Sequence, residues 1–284
     1  MRSFFKKPMN IVCLALFLLI VLSCFIGPSL SPYTGMEMDL ENLYGLPSAK
    51  HWMGTDALGR DLLTRFFVGG QRTLKACFFS VVGAAVIGSG LGILAGFLEG
   101  LRGAGLVRSR FVKALPAFIL RVSEALSAIP ILILALLLDA AFGFGKGHYI
   151  YALLLAYIPP TVNVVYAASL KVMGQEYIEA ARALGTTNFS ILKNHVFPNI
   201  LTPLVTHLSG LAGASVVMCT ILGYLGLCVN PPHPEWGALI HDTREALLVY
   251  PWVVLVPAFT LVVFILSIQQ IGSGITDALR DRHQ

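Results

Sequence analysis

Residues 175–199 read Gln-Glu-Tyr-Ile-Glu-Ala-Ala-Arg-Ala-Leu-Gly-Thr-Thr-Asn-Phe-Ser-Ile-Leu-Lys-Asn-His-Val-Phe-Pro-Asn, a mostly polar island in an otherwise very apolar chain. Glu176 to Leu184 favour helix, Gly185 suits a left-handed helix end, and Thr187 or Asn188 can cap a second helix. Pro198 stands where a further helix can begin, because a proline in a first turn gives up no hydrogen bond. The spacing predicts two short helices with a bend between them. A polar elbow between two long apolar segments belongs outside a bilayer, where something soluble can grip it.

Working outward, the composition is that of a membrane protein. Charged residues make up 12% of the chain and the mean hydropathy is +0.76, against roughly a quarter charged in a soluble domain. One integral all-α domain is expected. The formal charge of +5 does not indicate a nucleic-acid partner, because the basic residues form no stripe interleaved with aromatics. The five cysteines are odd in number and lie mostly in apolar runs, so they read as small apolar fillers and not as a disulfide framework.

Six spans are expected, each near the ~20 residues a bilayer requires. A short amino-terminal segment, residues 1–8, precedes a first span over 9–27, which lacks a small-x-small cleavage site and reads as an uncleaved helix. Residues 28–72 turn polar and form an external or interfacial segment. The core, 73–276, carries spans at about 73–98, 115–142, 148–170, 200–228 and 252–274, and residues 277–284 form a tail. Gly88, Gly92 and Gly96 fall four apart, a ridge that lets another helix approach closely. Pro159 and Pro160 predict a kink in the fourth span.

With six spans, both termini and the elbow share one side. Thirteen of the twenty Lys and Arg, from Arg2, Lys6 and Lys7 through Arg108, Arg280 and Arg282, fall there, which makes that side cytoplasmic by the positive-inside rule.

Glu179-Ala180-Ala181, three residues, Gly185, nine residues, then His195-Val196-Phe197-Pro198 resembles the EAA loop of ABC importer permeases. That pattern runs Glu-Ala-Ala, Gly, then Ile-x-Leu-Pro. His195 and Phe197 replace the usual Ile and Leu, and no role is carried over to them. The resemblance implies that the elbow docks on a cytoplasmic ATPase, with Glu176, Glu179, Ala180, Ala181, Arg182, Leu184 and Gly185 as the coupling residues.

Residues 51–65 contain Gly54-Thr55-Asp56-Ala57-Leu58-Gly59-Arg60-Asp61, which resembles a segment of the permeases that import peptides and nickel complexes. Thr55 and Asp56 suit helix caps, and Trp52, Phe66 and Phe67 suit a membrane interface. A structural clamp on the outer face is favoured over direct contact with cargo. The Pro-rich turn Asn230-Pro231-Pro232-His233-Pro234-Glu235-Trp236-Gly237 resembles the same importers, as does the closing Asp277-Ala278-Leu279-Arg280-Asp281.

The resemblance implies the second permease subunit of a peptide importer, or of a nickel or metal-chelate importer of the same family. Its partners would be a homologous permease, two cytoplasmic ATPases carrying ATP and Mg, and an external solute-binding protein, in the bacterial inner membrane. No cofactor is expected on this chain: no Walker loop is present, since Gly145-Lys146 is followed by Gly147. No catalytic residue is expected either. A scaffold that docks an ATPase without transporting remains an alternative.

Candidate pathway residues are Thr206, His207, Ser209 and Gly210 in the least apolar span, together with Glu124. Polar groups in a membrane helix face other helices or a water-filled path. Glu124 either lines the pathway, within reach of Arg121, or sits at the interface. His207 reads as bonded to a neighbouring helix in preference to a ligand. No metal site is expected: His233, Glu235 and His241 are explained by a solvated loop, and Asp139 is expected near the outer surface.

Overall fold

The computed structural model describes residues 2–106, 109–143 and 147–280. Arg108, Gly145, Lys146, Asp281 and Arg282 lie outside these. The apolar runs are helical because a backbone in hydrocarbon must satisfy its own hydrogen bonds. In chain order they are α1 (Arg2–Lys6), α2 (Pro8–Leu30), α3 (Leu62–Gly103), α4 (Arg110–Ser127), α5 (Ile131–Phe142) and α6 (Tyr149–Met173). There follow α7 (Glu176–Ala183), α8 (Asn188–Ile191), α9 (Phe197–Tyr224), α10 (Trp236–Thr243) and α11 (Pro251–Arg280). Among the described residues five helices are long and apolar enough to cross a membrane, or six spans if α4 and α5 together count as one.

That pair corrects the expected third span. α4 and α5 meet at 86°, since Pro130 favours an extended residue before it and α5 starts afresh behind it. Asp139, near the end of α5, is buried, with no hydrogen-bond partner for either carboxylate oxygen among the described residues. It does not lie on the outer surface.

The second span also differs from expectation. α3 starts at Leu62, eleven residues before the expected 73, because Asp61 caps it by accepting from the Thr64 N–H at 2.8 Å. With 42 residues it extends roughly 63 Å, about twice the hydrocarbon thickness. Thr55 and Asp56 therefore do not cap this helix. The Thr55 hydroxyl donates to the Asn42 carbonyl and accepts from the Gly45 N–H. Asp56 closes a turn by accepting from the Leu58 and Arg60 N–H groups.

The glycine ridge packs against α6. A methyl group on Gly92 would lie 2.7 Å from the Val162 carbonyl oxygen, and one on Gly88 or Gly96 would collide with Thr161 or Ser169. Only hydrogen fits at such a contact. α6 runs continuously from Tyr149 to Met173 with Pro159 and Pro160 inside it.

Outside the spans, residues 31–61 fold against the α9–α11 connection. Arg65 is buried and donates to the carbonyls of Gly35 and Pro232 at 3.2 and 3.1 Å. Its guanidinium lies 3.4 Å from Asp56 and 3.5 Å from Asp242, while Arg60 pairs with Asp56 at 2.7 Å. This is a structural clamp. Phe66 is part of it and not of the membrane interface: it is buried and stacked on Trp236 at 5.5 Å.

Glu235 overturns the solvated-loop reading. It is fully buried and caps α10 through the Gly237 and Ala238 N–H groups at 2.8 and 3.2 Å. Trp236 beside it is also fully buried and donates its indole N–H to the Phe66 carbonyl at 3.0 Å. Among the described residues no group of three or more His, Cys, Asp and Glu could hold a metal ion. All five cysteines are free, and four are buried.

Candidate functional site

The elbow is built in three steps. Gln175 precedes α7 in extended conformation, and Glu176 and Glu179 lie in the first turn, where carboxylates suit the helix dipole. The helix ends at Gly185, whose φ of +80° an L side chain adopts only under strain. Thr187 then caps α8, its hydroxyl accepting the Ser190 N–H at 3.3 Å. Of the two candidate caps it is Thr187 that acts.

The expected second short helix is not separate. α8 continues through a π-helical turn, Leu192–Val196, into α9, with Pro198 in the first turn of α9, so residues 188–224 form one helical rod. The π turn inserts one extra residue and rotates the register between elbow and span.

Burial divides the elbow into an anchor and a free edge. Ile178, Ile191, Val196 and Ile200 are buried with Leu101 and Met173 in one apolar cluster joining the ends of α3 and α6 to the elbow. Glu176, Glu179 and Ala180 are exposed, and Ala181 and Arg182 are half-buried. Leu184 is 87% exposed and Phe189 72%. Apolar side chains so exposed on an anchored turn form a surface that a partner would cover.

The start of α2 and the end of α11 lie at the same end of the bundle as this elbow. Lys7 pairs with Asp277 at 2.8 Å, and Asn10 accepts from Gln270 at 2.9 Å, so the start of α2 meets the end of α11. Thr206, two turns into α9, bonds Thr276 near that same end of α11 at 2.9 Å.

The other candidates are dispersed. His207 is 3.1 Å from the Thr161 hydroxyl, bridging α9 and α6, so it binds a neighbouring helix. Ser209 donates to the Thr206 carbonyl at 2.9 Å and packs against Gly272 of α11. Gly210 is exposed with nothing near its α-carbon face. Glu124 is exposed on α4, and among the described residues no ion pair joins it to the equally exposed Arg121. Thr206, Ser209 and Gly210 thus share a stretch of α9, while Glu124 stands apart. The Arg65 and Glu235 knots were not legible as sites, because Asp242 and Thr73 are each more than 150 residues away in the chain from the side chains they bind.

Comparison with known proteins fits this geometry. The profile of a family described as "Binding-protein-dependent transport system inner membrane component" matches residues 88–280. A second, "N-terminal TM domain of oligopeptide transport permease C", matches residues 1–47. The glutathione transport system permease protein GsiD of Pectobacterium atrosepticum is 31% identical over 279 residues, covering 98% of this chain and 88% of its own. The dipeptide transport system permease protein DppC of Alkalihalophilus pseudofirmus is 31% identical over 274 residues, covering 96% and 86%.

Among solved structures, a chain from an inward-facing form of the MetNI methionine ABC transporter superposes with a TM-score of 0.58. The match covers 74% of this chain and 94% of that one at 23% identity, and it speaks to the fold alone. With both profiles and full-length relatives in agreement, this chain belongs to the inner-membrane permease components of binding-protein-dependent ABC importers.

Proposed function

We propose that this permease forms half of a translocation pathway for di- or oligopeptides and that residues 175–199 transmit the motion of a cytoplasmic ATPase to it. The cargo reading is supported by the relatives' names, glutathione and dipeptide permeases. The coupling reading is carried by one observation: the elbow is rooted in the bundle through Ile178 and Ile191 while Leu184 and Phe189 stand in solvent. A handle must be rigid at its base and open at its grip.

In this reading two ATPase subunits hold ATP and Mg, a homologous permease supplies the other half of the path, and an external solute-binding protein delivers cargo. The elbow and both chain ends face the cytoplasm. ATP drives alternating access only because it binds the closed ATPase pair more tightly than the open one. Glu176, Glu179 and Arg182 present charge to the ATPase cleft and Ala180 and Ala181 allow close approach, while Thr206, His207, Ser209, Gly210 and Glu124 are the candidates for the path.

The test is Glu179→Arg in the assembled transporter. Peptide uptake is expected to fall while the amount of permease in the membrane is unchanged. Normal uptake with the ATPase still bound would sink the coupling role and favour a scaffold.

A further inference from the structure

At the end of the bundle opposite the elbow, α2 and the start of α3 diverge and leave a cavity of about 690 Å3, within the ~300–1,000 Å3 typical of small-molecule sites. Its walls are the apolar side chains of Ile26 and Leu30 on α2 and of Leu63 and Phe67 on α3. α2 is the least buried of the long apolar helices, so this wall continues the lipid-facing surface of a span. The two helices touch within it at Gly27, where a methyl group would strike the Phe67 ring, and the groove continues along α2 to Leu22 and Ser23. The groove therefore runs along α2 from Leu22 to Leu30, on the least buried of the spans.

Its mouth is polar and firmly built. His51 is buried, bound to Asp61 at 2.9 Å and stacked under Tyr33 at 4.8 Å. The Tyr33 hydroxyl donates to the Lys50 carbonyl at 3.2 Å. The residues flanking His51, Lys50 and Trp52, are thus held at the rim by a fixed backbone. The Trp52 side chain is 74% exposed, which suits an indole at the level of lipid headgroups. The Lys50 ammonium is exposed and 3.2 Å from Asp39, leaving it with donors free for another oxygen anion.

We propose that this groove is a phospholipid site, with one acyl chain lying along α2 and α3 and the headgroup phosphate held by the Lys50 ammonium beside Trp52. Three features select a lipid in preference to a helix or a soluble ligand. The groove runs along the least buried span, its wall is mostly apolar, with Ser23 and Asp61 the polar exceptions away from the loop, and the cation and the exposed indole stand together at the rim. A surface lysine favours anionic lipid by about fivefold. Asp39 opposes part of that preference.

The test uses the assembled transporter in nanodiscs of unlabelled phosphatidylcholine containing a small fraction of brominated phosphatidylglycerol or brominated phosphatidylcholine. Bromine quenches tryptophan on contact, and subtracting the signal of Trp52→Phe isolates Trp52 from every other indole. The anionic lipid is expected to quench several-fold more strongly than the zwitterionic one at equal fraction. Lys50→Gln should abolish that difference and Asp39→Asn should enlarge it. Ala49→Phe, a loop substitution that fills the cavity mouth, should weaken quenching by both lipids. Quenching that tracks bulk composition in the wild type and in Ala49→Phe would show ordinary bilayer contact only and overturn the proposal. Absence of quenching by either lipid would mean that protein covers the groove, and would overturn it equally.

Discussion

The Thr73 hydroxyl donates to the Glu235 carboxylate at 2.5 Å across 162 residues of chain, joining the second long helix to the cap of α10 inside the protein. Both groups are fully buried, and the Thr73 hydroxyl also reaches the Gly69 carbonyl at 3.2 Å. Burial is the main influence on Glu235 and raises its carboxyl to about 7, against which the Thr73 hydroxyl and the Gly237 and Ala238 N–H groups pull downward.

A raised folded pKa means that the folded chain binds this proton more tightly than the unfolded chain. The contribution to stability is fully present below the ordinary carboxyl value of 4.5 and is lost as pH rises to about 7. The loss is on the order of 3 kcal/mol. Thermal unfolding of the purified protein should show the wild type weakening across this window, with Glu235→Gln changing less. Equal slopes for the two proteins would count against it.

Removing the cap is expected to cost more than neutralising it. Glu235→Ala leaves two helix N–H groups without an acceptor, the Thr73 hydroxyl falling back on the Gly69 carbonyl, a loss of about 2 kcal/mol. Glu235→Gln keeps an acceptor oxygen and should fall between Ala and wild type in unfolding midpoint.

Arg65 offers a second contrast. Arg65→Ala leaves two buried carbonyls without a donor, while Asp56 keeps Arg60, and should destabilise by about 2–3 kcal/mol, whereas Asp242→Asn acts on a half-exposed partner and should cost under about 1 kcal/mol. Arg65→Lys keeps the charge but loses the forked geometry that reaches both carbonyls, so it should resemble Ala more than wild type. Limited proteolysis of the 31–61 segment would report the same order.

Two glycines should respond in opposite directions. Gly92→Ala forces α3 away from the Val162 carbonyl and is expected to destabilise by about 1–3 kcal/mol. Gly210→Ala meets nothing and should stabilise by up to about 1 kcal/mol through helix propensity. Unfolding midpoints of the two variants should bracket the wild type.

At the elbow, Gly185→Ala places an L side chain at φ of +80°, a strain of about 1–2 kcal/mol confined to one turn. Uptake should fall with little change in the amount of protein in the membrane. An unchanged uptake rate would show that the angle of the elbow is not transmitted.

The all-helical class, the Gly185 stop, a cap at Thr187 or Asn188, the close-packed glycine ridge and the lack of a disulfide framework were all legible from the chain alone. Each rests on local chemistry: hydropathy over one span, conformational freedom at one residue, or spacing along one helix. The break after Ser127, the early start of α3 at Asp61 and the burial of Asp139 and Glu235 were not legible. The break and the early start rest on local groups, Pro130 and the Asp61 cap, that compete with hydropathy, whereas Glu235 is settled by a neighbour distant in sequence, Thr73. A polar residue reads as solvated until the fold supplies its partner, and only tertiary structure brings that partner within hydrogen-bond reach.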